Sequence, residues 1–480
     1  MDLKEKTLSG ILWSVGQQFG SKVIGFLITI VLARLLAPSE FGLIAMLSVL
    51  VALGNNLSDS GLSSSLIRSA EISATEYSTV FFFNLIGSCV IYLILFIAAP
   101  SIASFYDQGI LTSIIRVYGL ALIINAFFCI QNACLVRNMD FKTQTNIQLP
   151  ASIGGGILGI VLAKMGYGVW SLVWMNLMTS FLSTILHWIY SDWRPIFVFD
   201  YPSFKRHFHF GYKMTLSGLL NTVYQNIYTL IIGKFYSTTQ LGFYARADSL
   251  SQLPIGIISS TVNTVTYPMF SKIADDDNKL KAVNKRLIQQ LIFWNAPILI
   301  LLCVIAEPLF RLVLTEKWLP AVPYFQILCL SGIIYPLHSY NLNILKVKGR
   351  SDSVLRVELI KKSLSVLGIL GVISFGIYGL LYFQLFFNFF GYYINTIYSG
   401  KLINYHLKEQ VFDFLPTILF SIIVGAFSYA LDVFLINHFN LIAPFEILII
   451  STFYFTFYLS VSYIVKMNAI TDFKKLIFKR

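Results

Sequence analysis

From Thr7 to Ala45 the chain reads TLSGILWSVGQQFGSKVIGFLITIVLARLLAPSEFGLIA. Residues 11–36 of this run are long enough to cross a bilayer as a helix, which takes ~20 apolar residues. The run is not uniformly apolar. Ser14, Gln18, Lys22, Gly25 and Thr29 recur every three or four residues, which puts them on one helical face. Lys22 falls near the middle of the span, where a charge facing lipid costs ~2.5 kcal/mol or more. The polar stripe is therefore expected to face protein or water.

The same theme returns 200 residues later. Arg34-Leu35-Leu36 aligns with Lys234-Phe235-Tyr236, Glu40-Phe41-Gly42 with Gln240-Leu241-Gly242, and Ala45 with Ala245. Upstream of the second copy, Thr215-Leu216-Ser217-Gly218-Leu219-Leu220 echoes Thr7-Leu8-Ser9-Gly10-Ile11-Leu12, with a gap. Its helix carries a stripe of its own: Ser217, Asn221, Gln225 and Tyr228. Repeated membrane helices point to a transporter with its site between the halves.

Composition extends this to the whole chain. It is 56% hydrophobic and only 12% charged, about half the charge of a soluble domain. Apolar windows mark fourteen spans, at about 11–34, 41–66, 77–100, 112–134, 147–164, 168–190, 211–234, 241–270, 288–313, 324–346, 355–375, 377–400, 413–436 and 443–465. The expected fold is an all-α polytopic membrane protein, and no gap is long enough for a separate soluble domain. Residues 1–190 form a first lobe, 191–210 a cytoplasmic linker, 211–400 a second lobe, and 401–480 two extra helices with a basic tail. With both termini cytoplasmic, the outside segments hold only Arg34, Lys164, Lys234, Arg311 and Lys317, against twenty-five cations inside. That bias is the positive-inside rule, and one span more or fewer would scramble it downstream.

The net charge of +12 is thus spread over eight separate cytoplasmic segments, which matches topology and anionic headgroups and is no argument for nucleic acid, so no nucleic-acid partner is expected. Span 1 exceeds a signal-peptide core and lacks an A-x-A site, so no cleavable leader is expected. Cys89, Cys129, Cys134, Cys303 and Cys329 all fall within spans, with no C-x-x-C and no His at ligand spacing. They read as small core residues, with no metal and no disulfide framework.

Individual segments add detail. Span 2 and its counterpart, 40–67 and 240–267, would each reach ~40 Å as a helix, past a ~30 Å hydrocarbon core. Both are expected to project into the cytoplasm or break there. The first turns polar at Asn55, Asn56, Ser58, Asp59 and Ser60, the second at Ser259, Ser260, Asn263 and Thr264. Pro254 should kink the second. Asp59 caps or lines a helix end, or takes part in ion coupling. Gly154-Gly155-Gly156 with Gly159, and Gly16 with Gly20, are small-residue packing faces. The linker carries Lys205, Arg206, His207 and His209 and reads as a basic amphipathic segment. Its two histidines have no carboxylate or Cys close in sequence to make a metal site. Asp275-Asp276-Asp277 reads as a solvated turn rather than an Mg²⁺-nucleotide site. Glu358, Lys361 and Lys362 are spaced to pair locally, and Pro336 and His338 lie in span 10.

On these stretches the chain resembles the polysaccharide-transport branch of the multidrug/oligosaccharidyl-lipid/polysaccharide (MOP) exporter superfamily, the Wzx-type flippases of O-antigen and capsule repeat units in bacteria. The similarity lies in Ala33-Arg34-Leu35-Leu36-Ala37-Pro38-Ser39-Glu40-Phe41-Gly42, in Gln240-Leu241-Gly242-Phe243-Tyr244-Ala245-Arg246-Ala247, in Leu345-Lys346-Val347-Lys348-Gly349-Arg350, and in the span layout. The resemblance implies two pseudo-symmetric six-helix lobes in a V around a cavity, plus two C-terminal helices. It implies a substrate of undecaprenyl-diphosphate-linked oligosaccharide, flipped to the outer leaflet of the bacterial inner membrane by alternating access. It implies no enzyme and no cofactor. Membrane lipid, a coupling cation (H⁺ or Na⁺) and glycan polymerase or chain-length proteins are the partners. Ser21-Lys22-Val23-Ile24-Gly25-Phe26 is similar to a basic stretch in span 1 of lipid II flippases that carries a cavity Arg. Here it is Lys, so a point charge replaces the bidentate fork.

A lipid diphosphate needs buried cations, sugar-binding amides and aromatics. Lys22, Arg116 and Arg246 are the candidate cations. Gln18, Asn221, Gln225 and Tyr228 are the candidate sugar contacts, and Asp59 and Asp248 are candidates for ion coupling. A drug antiporter of the same superfamily would want an acidic cavity. A membrane polymerase or ligase would want a large outer loop, and the outer loops here are short.

Overall fold

The structure, a computed structural model, describes residues 20–69, 72–439, 442–467 and 469–471. Ser14, Gly16 and the basic tail beyond residue 471 lie outside them, as do the side chains of Asn263 and Thr264. Among the described residues every regular element is helical. In order they are α1 (20–35), α2 (Pro38–Asp59), α3 (Leu62–Arg68), α4 (Ala74–Phe105), α5 (Ile110–Tyr118), α6 (Leu120–Ala126), α7 (Cys129–Arg137), α8 (Phe141–Lys164), α9 (Val169–Tyr190) and α10 (Tyr201–Gln225). Then come α11 (Ile227–Phe235), α12 (Thr238–Ser271), α13 (Asp277–Val304), α14 (Ala306–Val313), α15 (Val322–Gly332), α16 (Leu337–Val347), α17 (Ser351–Val372), α18 (Gly376–Leu402), α19 (Leu407–Phe439) and α20 (Ala443–Ile464).

Nine helical stretches among the described residues are long and apolar enough to cross a membrane, or ten with the bent pair Ile110–Ala126 and Cys129–Arg137. One of the nine, Ser351–Leu402, contains both α17 and α18. The chain is a polytopic helical membrane protein, and fourteen remains the expectation from sequence. Several expected spans are broken helices. Span 4 is three short helices with a 45° bend. Span 7 breaks at Asn226, and span 10 breaks between Gly332 and Leu337, where Pro336 starts the new helix. Of the two long spans, the first breaks at Ser60 and Gly61, both at positive φ (47° and 66°). The second runs unbroken for 34 residues with Pro254 and Pro268 inside it.

Contacts divide the chain into two compact units, residues 1–242 and 243–480. In the first, α8 packs along α9 through the expected glycine face. A Cβ on Gly155 would lie 2.0 Å from Thr179 Oγ1, and one on Gly159 2.9 Å from Met175 Cβ. The starts of α2 and α12 touch reciprocally. A Cβ on Gly42 would meet the Thr238 carbonyl oxygen at 1.9 Å, and one on Gly242 the Pro38 carbonyl oxygen at 1.8 Å. The two contacts are equivalent under the repeat, since Gly42 and Gly242, like Pro38 and Thr238, are 200 residues apart. The aligned Glu40 and Gln240 also do the same work. Glu40 Oε2 accepts the Ala37 N–H at 2.7 Å and Gln240 Oε1 the Ser237 N–H at 3.3 Å, closing each helix start as in a capping box.

The linker before α10 is pinned to α4. Ser78 Oγ accepts the Ile196 N–H at 3.0 Å and Thr79 Oγ1 the Asp200 N–H at 2.9 Å. Leu62, Leu66, Val80, Phe81 and Ile130 form an apolar cluster there, with Trp188 and Trp193 against it. Beside it His207 is 2% exposed, its Nδ1 2.8 Å from Ser65 Oγ. Arg206 pairs with Glu76, whose Oε1 lies 3.7 Å from His207 Nε2. Folding thus supplies the carboxylate that the local sequence lacks. Burial, and then the Arg206 guanidinium, hold the His207 imidazole below its usual pKa.

In the second unit a polar network ties α16, α18 and α19 together. Asn341 bonds Thr396 Oγ1 at 3.2 Å and Ser399 Oγ at 2.8 Å, and Gln410 Nε2 donates to the Tyr405 carbonyl at 2.9 Å. Lys285 and the Tyr405 hydroxyl both meet Asp413, each at 2.7 Å. Asp276 caps α13 by accepting the Lys279 N–H at 2.9 Å, and Asp277 pairs with Lys348. The aspartate triplet is thus a helix start. Glu358 and Lys361 pair at 2.6 Å, as their spacing predicts.

Candidate functional site

The densest polar group in the first unit surrounds Asp59. This residue ends α2, and the left-handed Ser60–Gly61 kink turns the chain into α3. Asp59 Oδ1 accepts from the Ser63 hydroxyl and, at 3.3 Å, from the Ser63 N–H. It also lies 3.5 Å from Asn84 Nδ2 on α4 and 3.5 Å from Cys129 Sγ on α7. Asp59 therefore holds the turn together, the capping role expected of it, and lines a cavity as well.

That cavity, of about 250 Å³, is walled by Asn55, Ser58, Asp59, Asn84, Ser88, Asn125, Cys129 and Asn132, with Leu122 and Phe128. Ser58, Asn84 and Ser88 are 6%, 1% and 0% exposed. Ser58 Oγ, Asn84 Oδ1 and Ser88 Oγ have no hydrogen-bond partner. The bend between α6 and α7 brings Asn125 and Cys129 to the same wall. Asn84 and Ser88 went unread in the sequence, although polar residues four apart in the most apolar helix carry a signal. Cys129, read as packing, belongs to the wall.

The other candidates are dispersed. Gln18 lies outside the described residues. Lys22 is exposed on α1 and makes no ion pair among the described residues. Arg116 is half-buried, its Nε 3.4 Å from the Phe96 carbonyl and its guanidinium 4.5 Å from the Phe96 ring centroid. That contact anchors Arg116 to α4. Asn221 and Gln225 are exposed on α10, but Tyr228 is half-buried on α11, beyond the break at Asn226. The stripe of four is therefore split over two helices. Arg246 and Asp248 are half-buried on α12, and Asp248 Oδ1 accepts from Gln252 Nε2 at 3.3 Å.

Known proteins share this architecture. Along 96% of this chain and 100% of the other, the fold is that of "Lipid II flippase MurJ, inward closed conformation", with a TM-score of 0.73 at 16% identity. "Lipopolysaccharide biosynthesis protein WzxC" of Escherichia coli (strain K12) is 26% identical over 368 residues, 76% of this chain and 75% of that one. "Teichuronic acid biosynthesis protein TuaB" of Bacillus subtilis (strain 168) is 27% identical over 297 residues, 61% of each. Residues 31–323 match the family described as "Polysaccharide biosynthesis protein". That match spans more than half of the sequence, and the chain belongs to this polysaccharide biosynthesis protein family.

Proposed function

We propose that this protein flips undecaprenyl-diphosphate-linked oligosaccharide repeat units from the cytoplasmic to the outer leaflet of the bacterial inner membrane, for surface polysaccharide synthesis. The family match over residues 31–323 carries this reading. The fold shared with a lipid flippase and the absence of any long soluble segment from the sequence support it. Transport proceeds by alternating access of residues 1–190 and 211–400, with 401–480 adding two helices. A cation gradient, of H⁺ or Na⁺, drives it.

The substrate's diphosphate is the group hardest to move through hydrocarbon, because an unpaired charge there is strongly disfavoured. Lys22 is the residue we assign to it, as an exposed cation near the middle of the expected first span, without an ion pair among the described residues. Arg246 is the second cation. Asn221, Gln225 and Tyr228 serve the sugars. Arg116, held on Phe96, has a weaker claim. A glycan polymerase and chain-length protein act on the product.

Deleting the gene tests this reading in the native host. Surface polysaccharide should vanish, lipid-linked repeat units should accumulate in the cells, and a plasmid copy should reverse both. Unchanged surface polysaccharide in the deletion strain would contradict it.

A further inference from the structure

We infer that the cavity beside Asp59 is a subsite for one uncharged pyranose ring of the transported glycan. The inference rests on the transport reading for the source of that ring. It goes beyond it in naming the place and the charge class of the sugar.

The first observation is shape. Ser58, Asn84 and Ser88 are buried, whereas Asn55, Asp59 and Asn132 stay half-buried, so the cavity has a floor and an open rim. At about 250 Å³ it falls below the ~300–1,000 Å³ of sites for drug-sized ligands. That space suits one sugar ring rather than a whole repeat unit. Leu122 and Phe128 make part of the wall apolar, and Phe128 is held by stacking on His187, 4.7 Å between ring centroids. A pyranose matches such a wall with its C–H face, which a cluster of waters cannot do. The cavity also neighbours the candidate sugar contacts. Asn56 on α2 donates its Nδ2 to Thr222 Oγ1 at 2.8 Å, and Thr222 follows Asn221 on α10.

The second observation is the set of polar atoms left over. Asn84 donates its Nδ2 toward Asp59, which fixes the amide: turned over, its oxygen would face a carboxylate. Asn84 Oδ1 is therefore an acceptor without a donor, and Ser58 Oγ and Ser88 Oγ on the same wall are also buried and unpartnered. Asp59 Oδ1 accepts from Ser63, Asn84 and Cys129, whereas its Oδ2 takes no hydrogen bond among the described residues. Asn132 Oδ1 accepts from Gln144 Nε2 at 2.9 Å, which leaves its Nδ2 as a donor. Acceptors, hydroxyls and a donor around one cavity complement a ring of hydroxyls, each of which both donates and accepts. A polyol meets several of these atoms at once.

The lining selects the charge class of the sugar. It holds one carboxylate, several neutral amides and hydroxyls, and no Lys, Arg or His. Hydroxyls of a neutral ring can donate to Asp59. A uronic acid would instead set a second carboxylate against it, with no cation in the lining to offset the repulsion. The Cys129 thiol on the same wall, 3.5 Å from Asp59 Oδ1, serves as a reporter of occupancy.

The test uses purified full-length protein in a detergent without a sugar headgroup. The cysteines other than Cys129 are replaced by Ser, and a small methanethiosulfonate reagent reads access to Cys129. Methyl glycosides of glucose, galactose, mannose, rhamnose and N-acetylglucosamine are the probes. At least one should slow labelling saturably, while glucuronate and galacturonate should not. Ser88→Ala should raise the half-saturating concentration about threefold to tenfold, as loss of one hydrogen bond does. Asp59→Asn should narrow the gap between neutral and acidic sugars. Saturation-transfer NMR on the unsubstituted protein gives the same ranking of sugars if a substituted chain fails to fold. Absence of an effect from every neutral glycoside would overturn the inference, as would equal protection by the uronates. So would slowing by NaCl over choline chloride with no glycoside effect, which would mark an ion site. Binding is read without transport. Lost surface polysaccharide in the deletion strain with no glycoside binding would sink this inference alone, and glycoside binding with unchanged surface polysaccharide would sink the transport reading alone.

Discussion

Lys22 shows how one residue can be strongly legible in sequence and still leave its role to experiment. Its place in an apolar span and its polar neighbours at helical spacing single it out, and the structure leaves its ammonium exposed. If it meets a diphosphate as a point charge, Lys22→Arg keeps most glycan export. Lys22→Gln should lose about tenfold or more at unchanged protein level, since a charge-assisted contact contributes ~1.5–3 kcal/mol and 1.4 kcal/mol is tenfold. Full export from Lys22→Gln would remove it from the mechanism. His207 makes a different demand. Its imidazole is held below the usual range, so above its unfolded pKa both states are neutral and the folded joint loses nothing. As pH falls below that value the unfolded chain takes up a proton that the buried ring resists, and stability drops. Melting of the detergent-solubilised protein should shift down by several degrees between pH 7.5 and 5.5, and less in His207→Gln. Equal shifts in both would assign the effect to other groups. Periodicity could flag His207 only as one of two spaced histidines, because its partners Ser65 and Glu76 come from distant turns of the chain.

At the scale of elements, the repeat was the most informative signal in the sequence. It aligns Glu40 with Gln240 and Gly42 with Gly242, and the structure supplies the reason. The acid and amide close two helix starts, and the glycines let each start lie on a carbonyl of the other. A Cβ at 1.9 Å from a backbone oxygen forces a shift that costs ~1–3 kcal/mol. Gly42→Ala and Gly242→Ala should each lower the melting temperature measurably. Gly371→Ala, with nothing within 4 Å of its Cβ, should be neutral or slightly stabilising. No difference among the three would mean the two starts do not pack as described. Helix breaks were less legible. A window of apolar residues reads the same whether a helix is straight or bent, so the turns at Asn226 and Phe127–Phe128 carried no composition signal. The Ser60–Gly61 break was half visible, as a polar turn in a helix too long for the bilayer. The Asp59 cavity was hidden for a related reason: its walls come from α2, α4, α6 and α7, and only folding brings them together.

At the scale of the whole molecule, loop charges make the next demand. If both termini are cytoplasmic, a cysteine at position 205 in a Cys-less variant should resist an impermeant maleimide in intact cells, and one at 107 should react. Labelling at 205 would reverse the topology. The central claim is movement of a lipid-linked glycan between leaflets, and its most direct measurement is made in liposomes. Undecaprenyl-diphosphate-linked oligosaccharide is incorporated into vesicles with or without the purified protein, and an impermeant glycosidase is added outside. Without protein, the enzyme should digest only the outer-leaflet half. With wild-type protein and a cation gradient, digestion should run well beyond half, and Lys22→Gln should return it toward the protein-free value. Digestion that stops at half with folded wild-type protein, under both Na⁺ and H⁺ gradients, would contradict lipid-linked glycan flipping.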